Sequence, residues 1–280
     1  MGNVSRGLIE KLVAGAHEVK VISTNAEKAT EIEKLQAIPL IGSLEDASFV
    51  SDSFGDAHAV YTMVPPNFAV SDYYGFADRV HENYAAAIRQ HNIRHVVNLS
   101  SIGVALAGVG PLKRFYNLEK RLDDIPALNI VHLRPAMFYT NFYGSMGLAK
   151  QQGIVGHNFS ATDDVLMTHP GDIADTAFTL LDSPSFNGHQ IKYIISDIQN
   201  GHAIAEILGE AVGTPLHWVE FPDDVLLAGL VQNGFSLDAA ETVIVDTGKA
   251  IRAGLFDEFK KYALKESRKF ADFAKSLSQI

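Results

Sequence analysis

Tyr116 and Lys120 stand four residues apart, a spacing that places two side chains on one face of a helix. A free phenol titrates near 10, so a tyrosine that exchanges protons near neutrality needs a cation beside it. Upstream, Ser100 and Ser101 close an apolar run, where a hydroxyl can polarise a carbonyl oxygen. Together these residues suit proton transfer at a carbonyl. The same spacing also fits a helix whose Tyr116 packs at the core edge and whose Lys120 pairs with Asp123 or Asp124. A second group lies at the start of the chain, where Gly2-Asn3-Val4 opens a helix. Backbone N–H groups there, helped by the helix dipole, suit a pyrophosphate; the competing reading is a plain helix with Asn3 as its N-cap. A third is the aromatic run Phe138, Tyr139, Phe142 and Tyr143, which suits either a flat substrate or ordinary core packing. His169, Pro170 and Asp172 read as helix-start residues before an acid/base role.

Composition narrows the chemistry. The chain has no cysteine, which excludes disulfides and thiolate catalysis. None of its 11 histidines forms a His-x-x-x-His or His-Glu-x-x-His pattern within one helix, since His91 and His95 stand on either side of a helix end and the next strand, so no metal is expected. A net charge of −10 argues against a nucleic-acid partner. No apolar run is long enough to span a membrane, and Glu10 and Lys11 interrupt the only early apolar stretch. The expectation is a cytoplasmic protein acting on a small molecule, with a homodimer left open.

The elements that must position these residues alternate. Helices are expected over Asn3–Ala14 (ending at Gly15), Ala26–Leu35, Ala47–Phe54, Asp72–His91 and Pro111–Asp123. Between them lie short apolar strands at 19–22, 38–41, 57–64, 95–101 and 129–133. Short continuous apolar strands between helices indicate a parallel, doubly wound α/β sheet covered on both faces. After Arg134 the pattern loosens. Helices are expected at 171–181 and 203–212, strands at 190–195 and 216–221, and a last helical face over Phe256–Leu277. The division expected is a nucleotide-binding core over residues 1–135 and a small α/β cap over 136–280, interleaved with the last elements of the sheet.

Six segments fall in an order and spacing that resemble the NmrA-like branch of the atypical short-chain dehydrogenase/reductases. They are Gly2-Asn3-Val4, the strand around His17–Ser23, Gly42-Ser43-Leu44-Glu45-Asp46, Val64-Pro65-Pro66, Leu99-Ser100-Ser101-Ile102-Gly103 and His132-Leu133-Arg134-Pro135. The resemblance covers nearly the whole chain and implies a Rossmann-like sheet with a small C-terminal cap. It implies an NAD(P)H-dependent reductase acting on a quinone or small carbonyl, or else a non-catalytic dinucleotide sensor. It further implies that Gly2, Asn3, Val4, Leu44, Val64, Pro65, Ser100, Lys120 and Pro135 hold the cofactor, with Tyr116, Lys120 and Ser101 catalytic and Phe138, Tyr139 and Phe142 facing substrate. After the second strand of such a fold an acid marks NAD and a cation marks NADP. Here Ser23-Thr24-Asn25 contains no acid and Lys28 follows one turn later, favouring NADP with NAD still open. The family's glycine loop follows a first strand that this sequence lacks, and Ser5 takes the place of its third glycine. The native protein is therefore expected to start upstream; otherwise the strands near Val19 and Ala59 face a gap of about 10 Å, two strand spacings.

Overall fold

The computed structural model describes residues 2–114 and 118–279. Its first half runs α1 (Asn3–Ala14), β1 (Lys20–Ser23), α2 (Ala29–Lys34), β2 (Ile38–Ile41), α3 (Ala47–Phe54), β3 (Ala59–Met63), α4 (Tyr73–Gln90), β4 (His95–Leu99), α5 (Glu119–Asp123) and β5 (Asn129–Pro135). The second half adds β6 (Met137–Phe138), α6 (Met146–Gln152), β7 (Ile154–His157), β8 (Asp164–Thr168), α7 (Pro170–Asp182), β9 (His189–Ile194), β10 (Asp197–Asn200), α8 (Gly201–Val212), β11 (His217–Glu220) and α9 (Asp223–Gln232), followed by a continuous helical run over 237–252 and shorter helical turns after it.

The main sheet is parallel, in the order β3-β4-β5-β9. Its inner strands β4 and β5 are mostly buried because both of their faces are covered. Val96 and Ile130 pack with Val50, Phe76 and Val80 of α3 and α4. Val97 and Val131 pack with Val4 and Leu8 of α1 and Ile173 and Ala177 of α7. β9 comes from the second half, so the two halves share one sheet. β1 pairs in parallel with β2 as a separate two-stranded sheet. Among the described residues no ladder joins β1 to β3. The cap region carries a three-stranded sheet, β10-β8-β6, and the parallel pair β11-β7.

One row of side chains crosses the main sheet in register. Thr62, Asn98 and His132 are direct partners on β3, β4 and β5. Thr62 Oγ1 donates to Asn98 Oδ1 at 2.9 Å, and Asn98 Nδ2 donates to His132 Nδ1 at 3.0 Å. His132 Nε2–H donates in turn to Asp123 Oδ1 on α5 at 3.0 Å. All three sheet residues are buried, and each polar group meets a partner, which offsets its desolvation.

Several sequence expectations change here. α1 ends as expected after Ala14, but Gly15 keeps a negative φ and Ala16 takes the left-handed conformation at φ +64. Ala16 N–H bonds to Val13 O and His17 N–H to Leu12 O, so the turn closes by the usual pair of terminal bonds one residue later. The helix expected over Pro111–Asp123 is instead a 3₁₀ turn (Gly110–Arg114) and the five-residue α5, and Tyr116 lies outside the described residues. The last helical face also breaks. Residues 263–269 are not helical, because backbone groups here and at the start of the next turn are claimed elsewhere: Leu264 N–H donates to Ile195 O (2.9 Å), Arg268 N–H to Asp172 Oδ2 (3.2 Å) and Phe270 N–H to Asp197 Oδ2 (3.1 Å).

Candidate dinucleotide and substrate site

The C-terminal ends of the parallel strands and the N-terminus of α1 gather most of the residues singled out in the sequence. Gly2, not Asn3, is the N-cap of α1; it is extended, at φ −82 and ψ 162, and no side chain caps the helix. The first turn contains no acid, and open space surrounds the place where a Cβ on Gly2 would sit. The first-turn N–H groups of a twelve-residue helix, ahead of the Arg6 N–H that bonds to Gly2 O, are thus left for an outside acceptor. Val4 is buried in the core and Asn3 is exposed, so Val4 offers only its backbone. Ser5 Oγ lies 3.7 Å from Met63 Sδ, joining this turn to the end of β3.

Beyond β1, Ser23 Oγ accepts from Asn25 N–H, and Asn25 Oδ1 caps the next turn through Glu27 N–H at 2.8 Å. Thr24 and Asn25 are exposed and Lys28 is half-buried in that turn. Leu44 packs beside the α3–α4 core while its carbonyl accepts from Asn83 Nδ2 at 2.8 Å. Val64 and Pro65 leave β3 half-buried, and Tyr84 OH donates to the preceding Met63 carbonyl at 2.8 Å. Pro135 is buried as the last residue of β5.

At the end of β4 lies a group the sequence reading missed. Glu119 and Arg134 form a buried bidentate ion pair, with Nε to Oε1 at 2.9 Å and Nη2 to Oε2 at 2.6 Å. Ser100 Oγ donates to the same Oε1 at 2.5 Å. Arg134 Nη1 donates to Tyr193 OH at 3.2 Å, and the carboxylate facing Arg134 raises the arginine's pKa against the opposing effect of burial. The signal available in the sequence was Arg134 itself: an arginine ending a buried strand requires an anion. Ser101 Oγ caps the following turn by accepting Gly103 N–H at 3.1 Å.

Lys120 is exposed on α5, next to the inward-facing Glu119. Tyr139 is fully buried among Phe270 and Phe273, and its OH donates to Arg268 O at 2.9 Å. Phe142 is buried against Phe270. The expectation that these two rings face substrate is corrected, since both are spent on the core; Phe138 is only half-buried. His169 is the N-cap of α7, accepting Gly171 N–H through Nδ1 at 2.9 Å, and Asp172 accepts Ser196 Oγ at 2.6 Å besides pairing with Arg268. Among the described residues no group of three or more His, Asp or Glu could hold a metal, and no helix is long and apolar enough to cross a membrane.

An open helix N-terminus beside the carboxyl ends of parallel strands defines an α/β protein built to hold a dinucleotide. The chain belongs to the NAD(P)H-binding family, whose profile matches residues 1–141. It is similar in fold to triphenylmethane reductase from Citrobacter sp., at 16% identity and a TM-score of 0.80, over 100% of this chain and 97% of that one. It is likewise similar to the NADPH-dependent quinone oxidoreductase of Escherichia coli solved with NADPH (16%, 0.80, over 99% and 96%). A nucleoside-diphosphate-sugar epimerase from Staphylococcus aureus also matches, at 14% identity and 0.80, over 98% and 97%. No curated protein matches the sequence.

Proposed function

We propose that this protein is an NADPH-dependent reductase that transfers hydride to a quinone or a small carbonyl compound. The observation that carries the reading is the uncapped N-terminus of α1, packed on the main sheet through Val4 and Leu8, together with the Ser100-Ser101 pair at the carboxyl end of β4. The Rossmann-like neighbours that reduce dyes and quinones support it. When bound, the reduced nicotinamide supplies the hydride; the protein's part is to bind, orient and donate. Backbone N–H groups of Asn3 and Val4 would take the pyrophosphate, and Val64 and Pro65 would flank the nucleotide. The segment after β1 supports the phosphorylated cofactor: Ser23, Thr24 and Asn25 bring no carboxylate, and Lys28 sits within one turn.

Orientation supplies much of the rate when donor and acceptor are held in contact. A quinone can take its protons from water, so the reaction does not depend on Tyr116. The test is binding followed by turnover. NADPH at a hundredfold excess over its Kd should raise stability by about 2.7 kcal/mol, and NADPH absorbance should fall with a quinone present. Absence of both defeats the proposal; binding without turnover across quinones and carbonyls would instead mark a sensor.

A further inference from the structure

The two adjacent serines at the end of β4 hold their protons differently. Glu119 receives two N–H groups from Arg134, one on each oxygen, so it is a carboxylate with acceptor capacity only. Arginine has no lone pair to offer. The hydrogen between Ser100 Oγ and Glu119 Oε1 therefore belongs to Ser100, which has only one. Ser100 is half-buried and its backbone N–H stays in the sheet, donating to Leu133 O at 2.8 Å. What it presents outward is lone pairs. Ser101 is the reverse: its oxygen accepts Gly103 N–H, and its own proton is uncommitted among the described residues.

We propose that the buried Glu119–Arg134 pair fixes Ser100 as an acceptor that recognises an N–H donor on the cofactor, the nicotinamide carboxamide, and leaves Ser101 as the hydroxyl that donates to the substrate carbonyl oxygen. The proposal rests on the reductase reading. A substrate quinone or ketone oxygen carries no hydrogen, so Ser100 repels it and Ser101 attracts it. The carboxamide carries two N–H groups and satisfies Ser100. Glu119 and Arg134 act as positioning residues: neither needs to touch a ligand, and each determines what the serine beside it can recognise. This division explains why a charged pair is held at the end of two sheet strands, where an apolar pair of similar volume would fold as well.

The experiment measures equilibrium binding of NADPH and of its 3-acetylpyridine analogue, in which a methyl group replaces the carboxamide NH₂. Ser100→Ala should weaken NADPH about three- to tenfold, the size of one lost hydrogen bond, and leave the analogue's Kd unchanged. The double variant Glu119→Leu, Arg134→Met, which removes the acceptor and frees the Ser100 proton to turn outward, should shrink the preference for NADPH over the analogue in the same direction. Ser101→Ala should lower kcat with a quinone while leaving both Kd values in place. Equal weakening of both dinucleotides by Ser100→Ala, no weakening of either, or a Ser101→Ala variant with the Ser100→Ala pattern overturns the assignment alone. A wild-type protein that binds neither dinucleotide overturns the reductase reading and this assignment with it.

Discussion

Acidification should destabilise this protein well above the carboxylate range, and His81 is a main cause. It lies on α4 at 2% exposure, with Nδ1–H donating to the Ala77 carbonyl at 3.1 Å. Burial first, then the nearby His132 and Arg121, hold its pKa down to about 4, against about 6.5 in an unfolded chain. The folded ring stays neutral at pH 5 while the unfolded one takes a proton. The unfolded state therefore binds more protons between pH 6.5 and 4, and stability falls as pH drops through that window. Linkage with those two values gives a loss of about 2 kcal/mol from pH 7 to pH 5 for this one ring. His157, also pushed down to about 4 by burial, adds a similar loss. Asp123 and Asp175, held low by His132 and by Arg268 and Lys11 against their own burial, titrate below the window and do not confuse it. His81→Leu removes one of the two rings at little cost at pH 7, because the Ala77 carbonyl remains inside the helix. Urea unfolding followed by circular dichroism at pH 7, 6 and 5 should show the variant losing about 2 kcal/mol less than wild type across the range. An equal loss in both proteins, or an NMR titration of His81 centred above pH 6, refutes the reasoning.

Ala16 pays a left-handed backbone conformation without the freedom of glycine; Ala16→Gly should raise stability by about 0.5–1 kcal/mol, read as a higher urea midpoint at an unchanged slope. Arg134→Met leaves Glu119 charged and buried, and should cost about 3–5 kcal/mol, whereas the double variant Glu119→Leu, Arg134→Met should recover most of that; a double variant no better than the single would mean the charge was not the cause. Tyr139→Phe removes only the bond to Arg268 O and should cost about 1 kcal/mol of stability with kcat unchanged; a loss of quinone turnover at full stability would restore Tyr139 to the substrate site.

The sequence was most informative where a single local rule decides the outcome. Asp46 and Asp72 cap α3 and α4 with their side chains, and a short acid before an apolar periodic run is visible without a structure. β3, β4 and β5 were legible because burial on both faces leaves a short, mostly apolar run, interrupted only by residues such as Thr62, Asn98 and His132. β7 and β8 were not: each is four or five residues long, and pairing with β11 and β10 rather than their own composition makes them strands. The C-terminal stretch carried a helical stripe, yet Asp172, Asp197 and the Ile195 carbonyl recruit its backbone from afar, a contest no local pattern records. The site was half legible. The position of Ser100 and Ser101 just past the end of β4 could be read from the apolar run before them. Glu119 was hidden beside Lys120, because a charge on a helix looks the same in a sequence whether it faces water or a buried arginine.

The division of the sheet between β1 and β3 has a consequence for the exchange of backbone hydrogens with solvent. The carbonyls of Val19 and Ser23 receive the N–H groups of Ile38 and Gly42. Successive residues of a strand direct their peptide groups to opposite edges, so Val21 also faces β2, and Lys20 and Ile22 face the side on which β1 has no ladder. β4, paired on both edges, has no such alternation. Deuterium should enter β1 with a beat of two, quickly at Lys20 and Ile22 and slowly at Val21, and any segment that comes to lie along that edge will announce itself by silencing the fast half of the beat.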